Sequence, residues 1–107
     1  MNKFGYVLVG TAAFPVKVAA PDYNADKIID MAAKADKEDM DILVFQELAL
    51  TGYTCADLFL HSNLRKKTEA AVNKILEATK DIDTLLVVGM PLYTDGELYN
   101  CAAFIFR

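Results

Sequence analysis

The sequence is poor in the residues that bind metals or form disulfides. Its 107 residues include one histidine, His61, and two cysteines, Cys55 and Cys101, which lie far apart. Neither cysteine has a partner at the spacing of zinc ligands, so the sequence predicts no metal site. Because no signal-like segment opens the chain, the two cysteines indicate reduced thiols, and we expect a cytoplasmic protein.

Long apolar runs and clusters of positive charge are also missing. The apolar runs fall well short of the about 18 residues that a transmembrane helix needs. The net charge is −4, and the basic residues are spread along the chain apart from Arg65-Lys66-Lys67, which is typical of a solvated helix face. Phosphate binding needs a clustered basic face. We therefore expect neither nucleic acid nor a membrane as partner.

Apolar residues are what the sequence has in excess. They make up 54% of the chain, whereas globular chains typically reach about 45–50% even with glycine counted. The length suits one small domain, and there is no internal repeat, low-complexity segment or linker. Either the strands are covered on both faces, or the chain is a piece of a larger core. Since the last predicted strand leaves an apolar edge uncovered, we expect an incomplete domain.

The pattern of apolar residues predicts an α/β fold. Continuous apolar runs predict buried strands, three-to-four spacing predicts helices, and Asp95-Gly96 predicts a hairpin turn. Asn24 and Ser62 are the predicted helix caps. The helices' inner faces are predicted to be Ala25, Ile28, Ile29, Ala32 and Ala35, then Leu64, Thr68, Ala71, Val72, Ile75, Leu76 and Thr79. The predicted order is strand 4–9, helix 24–38, strand 42–45, a helix from 62, strand 85–88 and hairpin strands 90–93 and 98–106. This mostly parallel β-α-β-α-β unit, with its helices on one face, would end in an antiparallel pair.

Glu47 is the strongest candidate for a chemical role. It comes just after the predicted strand 42–45, at the carboxyl end of the sheet, where ligands and catalytic groups collect in open α/β sheets. The strand ends would half-desolvate a carboxylate there and make it a better base. The structural alternative is that Glu47 caps a turn or pairs with a nearby lysine.

The residues after Glu47 offer weaker candidates. Tyr53 follows the turn Thr51-Gly52 and either projects its hydroxyl into a cleft or packs as a half-buried aromatic. Thr54 to Asp57 has the form of a capping box, which indicates a structural role. Cys55 would lie in that first helical turn as a possible nucleophile, but no histidine stands in an obvious partner position.

Several motifs resemble one known family. Glu47-Leu48 and Leu50-Thr51-Gly52-Tyr53 resemble the first catalytic motif of the nitrilase superfamily of carbon–nitrogen hydrolases. Further segments are similar to one branch of it, the glutaminase domains of glutamine-dependent NAD(+) synthetases. These segments are Phe4-Gly5-Tyr6-Val7, Phe14-Pro15, Cys55, Asp57-Leu58-Phe59, Val88-Gly89-Met90-Pro91 and Leu98-Tyr99-Asn100-Cys101-Ala102-Ala103. The resemblance extends over essentially the whole chain.

This resemblance implies a fold and a mechanism. Residues 1–107 would be the N-terminal portion of a glutaminase domain, half of an α-β-β-α sandwich. Glu47 would be the general base of a Glu-Lys-Cys triad that cleaves glutamine, with Tyr53 at the substrate. The family's lysine and cysteine motifs would lie beyond Arg107, because Lys66, Lys67, Lys80, Cys55 and Cys101 match neither. The parent protein, a homo-oligomer, would use ATP and magnesium in a second domain to amidate deamido-NAD(+); this chain itself would hold no cofactor.

One position departs from the family pattern, and three other functions stay open. The superfamily usually has proline before the catalytic glutamate, where this chain has Gln46, which we expect to loosen the turn. The alternatives are another nitrilase-type amidase, a non-catalytic binding or assembly domain, and a flavodoxin-like nucleotide-binding domain. The last would need a glycine-rich phosphate loop, which residues 10–15 match poorly.

Overall fold

A four-stranded sheet forms the centre of the computed structural model, which describes residues 5–52 and 62–106. The first three strands pair in parallel, and the fourth runs antiparallel to the third. The strands lie in chain order: β1 (Val9–Ala12), β2 (Ile42–Phe45), β3 (Leu85–Thr94) and β4 (Glu97–Ile105). The predicted topology is confirmed.

Two helices, α1 (Pro21–Lys37) and α2 (Ser62–Ala78), pack side by side on one face of the sheet. The core lies between the two layers. Its buried apolar side chains come from the predicted inner faces of both helices and from alternate positions of the strands, among them Ala25, Ile28, Ala32, Ile75, Leu43, Phe45, Leu86, Val88 and Ile105. Lys74 of α2 forms exposed ion pairs with Asp22 and Asp26 of α1, which contribute little to stability.

The other face of the sheet is open in the part of the chain that the structure describes. Alternate residues of the strands point there, and Val9 and Phe104 are 54% and 67% exposed. The alternative in which the strands are covered on both faces is therefore not met within residues 5–52 and 62–106, since α1 and α2 both cover the same side.

The first strand lies later than the apolar run predicted. β1 covers Val9–Ala12 instead of residues 4–9, and Tyr6, Val7 and Leu8 are exposed. Pairing with β2 sets these bounds, because Val9 stands opposite Ile42 and Ala12 opposite Phe45. Residues 1–4 lie outside the described range.

The second helix and the hairpin agree with the prediction except in detail. Leu76 is 44% exposed and does not belong to the inner face of α2. The described part of α2 starts at Ser62, and the cap predicted there stays a prediction because the residues just before it lie outside the described range. Asp95 and Gly96 both have positive φ, 52° and 77°, as a tight hairpin turn between twisted strands requires. The predicted strands 85–88 and 90–93 form one continuous strand.

Asn24 was predicted to cap α1 but lies inside the helix. α1 begins at Pro21 with Ala20 as the flanking residue. Proline suits the first helical turn because it has no backbone N–H, and an N–H in that turn would have no partner within the helix. Asn24 is completely buried. Its Oδ1 accepts from the backbone N–H of Lys17, and its Nδ2 donates to the carbonyls of Lys17 and Leu50, each at 2.9 Å. One side chain thus joins α1, the segment before it and the segment after β2.

Replacing Asn24 by alanine should destabilise the fold strongly. The change would leave backbone groups of Lys17 and Leu50 without their partner, and each buried unsatisfied group costs about 1–3 kcal/mol. We expect urea unfolding to show a loss of about 2–4 kcal/mol. Asn73→Ala, an exposed position on α2, is the matched control and should change stability by less than about 0.5 kcal/mol. Similar values for the two variants would contradict the assigned role of Asn24.

Candidate active site at the carboxyl end of the sheet

Glu47 lies in a tight turn that begins where β2 ends. The turn buries the side chains that follow, since Leu48 is 8% exposed and Ala49, Leu50 and Thr51 are fully buried. Glu47 itself is exposed. The expectation of a half-desolvated carboxylate is thus not met in the described part of the chain, because none of those residues covers this rim of the sheet.

The backbone of the turn crosses directly over Gly89 of β3. A Cβ atom at Gly89 would lie 2.4 Å from the nitrogen of Leu48 and 2.8 Å from the carbonyl oxygen of Gln46. The backbone N–H of Leu50 also donates to the Gly89 carbonyl at 3.1 Å. Leu48 takes a φ of 52°, in the left-handed region, which is uncommon for a residue with a side chain. Gly89 therefore permits the contact that fixes the backbone on either side of Glu47.

Gln46 does not loosen the turn. Its Oε1 accepts from the backbone N–H of Phe14 at 3.2 Å, and its Nε2 donates to the Phe14 carbonyl at 2.7 Å. This pair of bonds, which we call the Gln46 clamp, ties the end of β2 to the segment after β1. The expectation drawn from the missing proline was therefore wrong, because the glutamine side chain supplies the restraint that the ring would have supplied.

The far end of the turn is held as well. The backbone N–H of Ala19 donates to the Thr51 carbonyl at 2.8 Å, and the N–H of Gly52 donates to the Leu48 carbonyl at 2.8 Å. Gly52 has a φ of 87° and packs against Val16 and Val18, so glycine is needed there for its conformation. With the Gln46 clamp and Asn24, these bonds restrain the turn along its whole length.

Glu47 faces an open depression of about 320 Å³ on the side of the sheet that turns away from the helices. Its lining includes Val44, Val87, Asn100 and Ala102, which alternate with core residues along β2, β3 and β4. The Nδ2 atom of Asn100 donates a hydrogen bond to Oε1 of Glu47 at 3.0 Å. The arrangement presents a carboxylate, anchored at its backbone and hydrogen-bonded at one oxygen, to an open space.

None of the other sequence candidates that lie within the described residues joins Glu47. Tyr53, Cys55 and the capping-box residues Thr54 and Asp57 lie outside the described residues. Lys66, Lys67 and Lys80 are exposed on α2 or just beyond it. Cys101 carries a free thiol and contributes to the lining, but it pairs with Met90 and alternates with Asn100, which directs its side chain toward the helix-covered face.

The described residues hold no group of three or more histidine, cysteine, aspartate or glutamate side chains that could bind a metal ion. Within residues 5–52 and 62–106, neither helix is long and apolar enough to cross a membrane.

The structure adds residues to the site that the sequence reasoning missed. Gly89 interrupts an apolar strand, and a glycine inside a strand often marks a close approach of another backbone. Asn100 lies in a strand, where asparagine is depleted. Asn24 is a polar residue beside the apolar stripe of α1. Each of these residues departs from the pattern of its strand or helix and could have been noticed in the sequence. The departure alone does not show which residue it contacts.

The chain belongs to the carbon-nitrogen hydrolase family, whose sequence profile matches residues 8–107. Curated relatives include the glutamine-dependent NAD(+) synthetases of Mycobacterium tuberculosis strain H37Rv, 32% identical over 103 residues, and Xanthomonas campestris pv. campestris, 36% identical over 98 residues. These matches cover 96% and 91% of this chain but 15% and 17% of the relatives. The chain thus spans about one sixth of their length.

Solved structures show the same fold. The glutamine-dependent NAD+ synthetase from Acinetobacter baumannii, in complex with ADP, is 35% identical with a TM-score of 0.80, over 87% of this chain and 17% of that one. The NAD(+) synthetase from Cytophaga hutchinsonii is 27% identical with a TM-score of 0.84, over 94% and 17%. An amidase from Nesterenkonia, 22% identical with a TM-score of 0.71 over 85% and 33%, shares the fold. The chain therefore has the α/β fold of these proteins over the part that it covers, as the resemblance implied.

Gly89→Ala should destabilise the protein because the new methyl group would meet backbone atoms, which cannot move without shifting the turn. We expect urea unfolding to show a loss of about 1–3 kcal/mol, the usual effect of overpacking. The control is Gly10→Ala, where the added Cβ would meet Met40 Sδ at 2.6 Å, the end of a flexible side chain. Its loss should stay below about 1 kcal/mol. Equal losses would show that the turn can move away from β3.

Proposed function

We propose that this chain is the N-terminal part of the glutaminase domain of a glutamine-dependent NAD(+) synthetase. Glu47 serves as the general base in the hydrolysis of glutamine to glutamate and ammonia. The observation that carries the proposal is the placement of Glu47 at the carboxyl end of β2, with its backbone fixed against Gly89 and its carboxylate open to a depression. The similarity to synthetases over nearly the whole chain, at 31–36% identity, supports the choice of reaction.

The mechanism divides the chemistry between a nucleophile and a base. By its resemblance to the family, a cysteine thiolate attacks the amide carbon of glutamine, the carbon–nitrogen bond breaks, and ammonia leaves. Glu47 takes the proton from the thiol and returns it to the departing nitrogen. Water then hydrolyses the thioester: Glu47 accepts a proton from the water, the carbon–sulfur bond breaks to release glutamate, and Glu47 returns the proton to the cysteine sulfur. The lysine and the cysteine of this triad belong to segments beyond residue 107, and Tyr53 is proposed to contact the substrate.

The rest of the proposal concerns the parent protein. Ammonia passes to a synthetase domain, where deamido-NAD(+) is amidated with ATP and magnesium. The proposal assigns none of the described residues to those ligands. A cytoplasmic location is part of the same proposal, since the free thiol of Cys101 would stay reduced there. Homo-oligomerisation of the parent stays a prediction.

Glu47→Gln in the full-length protein should abolish NAD(+) formation from glutamine and spare its formation from ammonium. Glutamine is nearly isosteric with glutamate but cannot accept the proton. Loss of a general base costs about 10²- to 10⁴-fold in rate, or about 3–5 kcal/mol in the barrier. The measurement is NAD(+) formation with each nitrogen source in turn.

A matched control for that variant is Glu97→Gln, which neutralises an exposed glutamate on β4 that contacts Tyr99 and not Glu47. It should keep both activities. Equal losses with glutamine and ammonium in Glu47→Gln would assign Glu47 to the fold, and unchanged glutamine-driven activity would refute its role as base.

Residues 1–107 alone should release no ammonia from glutamine, because one of the three catalytic groups of the family is present. Removing a nucleophile eliminates most of an enzyme's rate enhancement. A coupled glutamate dehydrogenase assay, with the full-length protein as positive control, would test this. Steady turnover that disappears in Glu47→Gln would contradict the prediction and would make Cys55 or Cys101 a candidate nucleophile.

A further inference from the structure

We propose that Asn100 is a positioning residue for Glu47, an inference that rests on the proposed function. Its Nδ2 donates to Glu47 Oε1 at 3.0 Å. The bond occupies one carboxylate oxygen and leaves Oε2 for proton transfer. An exposed glutamate otherwise has several rotatable bonds, so this contact selects the orientation in which the base meets the depression.

The backbones at both ends of this hydrogen bond are fixed. Asn100 lies within the β3–β4 ladder, opposite Pro91, in a register that extends from Leu86 and Ile105 to Thr94 and Glu97. Glu47 lies in the turn that rests on Gly89. Because both ends are anchored to the sheet, the bond sets the carboxylate's direction relative to it.

A neutral amide is well suited to this task. Among the side chains that the structure describes, Asn100 is the one that hydrogen-bonds Glu47, and no described lysine or arginine forms an ion pair with it. An amide donor orients the carboxylate without neutralising its charge, so the group stays able to accept a proton. Strand propensity does not account for the residue, because asparagine is disfavoured in strands.

Two substitutions of Asn100 distinguish a role in orienting Glu47 from a role in packing. Asn100→Asp keeps the shape but replaces the donor with a second carboxylate, and Asn100→Leu keeps a similar size with no donor and no charge. If Asn100 orients the base, kcat for glutamine hydrolysis should fall by about 10- to 100-fold in the leucine variant and further in the aspartate variant, where like charges repel. The KM for glutamine should stay within about twofold, since uniform binding is untouched.

The control is Tyr99→Phe in the same strand. The hydroxyl of Tyr99 donates to the Glu97 carboxylate, and this contact raises the pKa of Tyr99. Like the Asn100 variants, Tyr99→Phe loses an exposed hydrogen bond to a carboxylate, but that carboxylate is not Glu47. It should keep full glutaminase activity. NAD(+) formation from ammonium shows that each variant is folded, and the leucine variant serves if the aspartate variant is insoluble.

The measurements are made in the full-length protein. Asn100→Asp with wild-type kcat would overturn the inference, as would equal loss of the ammonium-driven activity, which would mark Asn100 as a structural residue. A wild-type full-length protein that cannot hydrolyse glutamine would overturn the proposed function itself, and the inference with it.

Discussion

The contact between the turn after β2 and Gly89 is the constraint on which the site depends. A parallel sheet brings the end of β2 next to β3, but it does not by itself direct the chain that leaves β2. Here the peptide backbone between Gln46 and Leu48 lies so close to β3 that no Cβ could stand between them. The left-handed conformation of Leu48 and the bond from Leu50 to the Gly89 carbonyl follow from that contact. The turn buries Leu48 to Thr51 and leaves Glu47 exposed.

Hydrogen bonds from three side chains add to the contact with Gly89. The Gln46 clamp and Asn24 both reach the segment between β1 and α1 and bind its backbone rather than its side chains. Asn100 acts from the opposite direction, on the carboxylate itself. Three polar side chains from different elements therefore define the position of one acidic group, while the apolar layer under them supplies most of the folding free energy.

Sequence patterns predicted the elements well because periodicity records which face of an element is buried. The inner face of α1 followed its periodic pattern, and the apolar run Ile42–Phe45 gave the bounds of β2 although its burial alternates. The first strand did not, because its bounds depend on register with β2, and register is a property of two strands together. Asn24 was read as a cap for a similar reason: its local preference is for helix ends, and only the tertiary partners Lys17 and Leu50 account for its burial.

The candidate site, like the fold, could be predicted from sequence only where a local pattern marks a residue. Glu47 could be found from its position after an apolar run, and the family resemblance gave it a role that stays a prediction. Asn100 and Gly89 could not be connected to it, because hydrogen bonds and close approaches between residues far apart in sequence leave no periodic trace. Gln46 was misread because the effect of a missing proline was judged from the backbone alone, without the partner that its side chain finds in Phe14.

The Gln46 clamp has a thermodynamic consequence that a proline at this position would not have. A proline ring restricts φ in the unfolded chain as well as in the folded one, an effect worth about 0.4–1 kcal/mol where the native conformation is compatible. Gln46 leaves the unfolded chain unrestricted, so all the ordering entropy of this turn is lost during folding. The restraint that the Gln46 clamp adds is therefore conditional. It exists only while the segment that contains Phe14 is in place, so the start of the turn and that segment should order and disorder together.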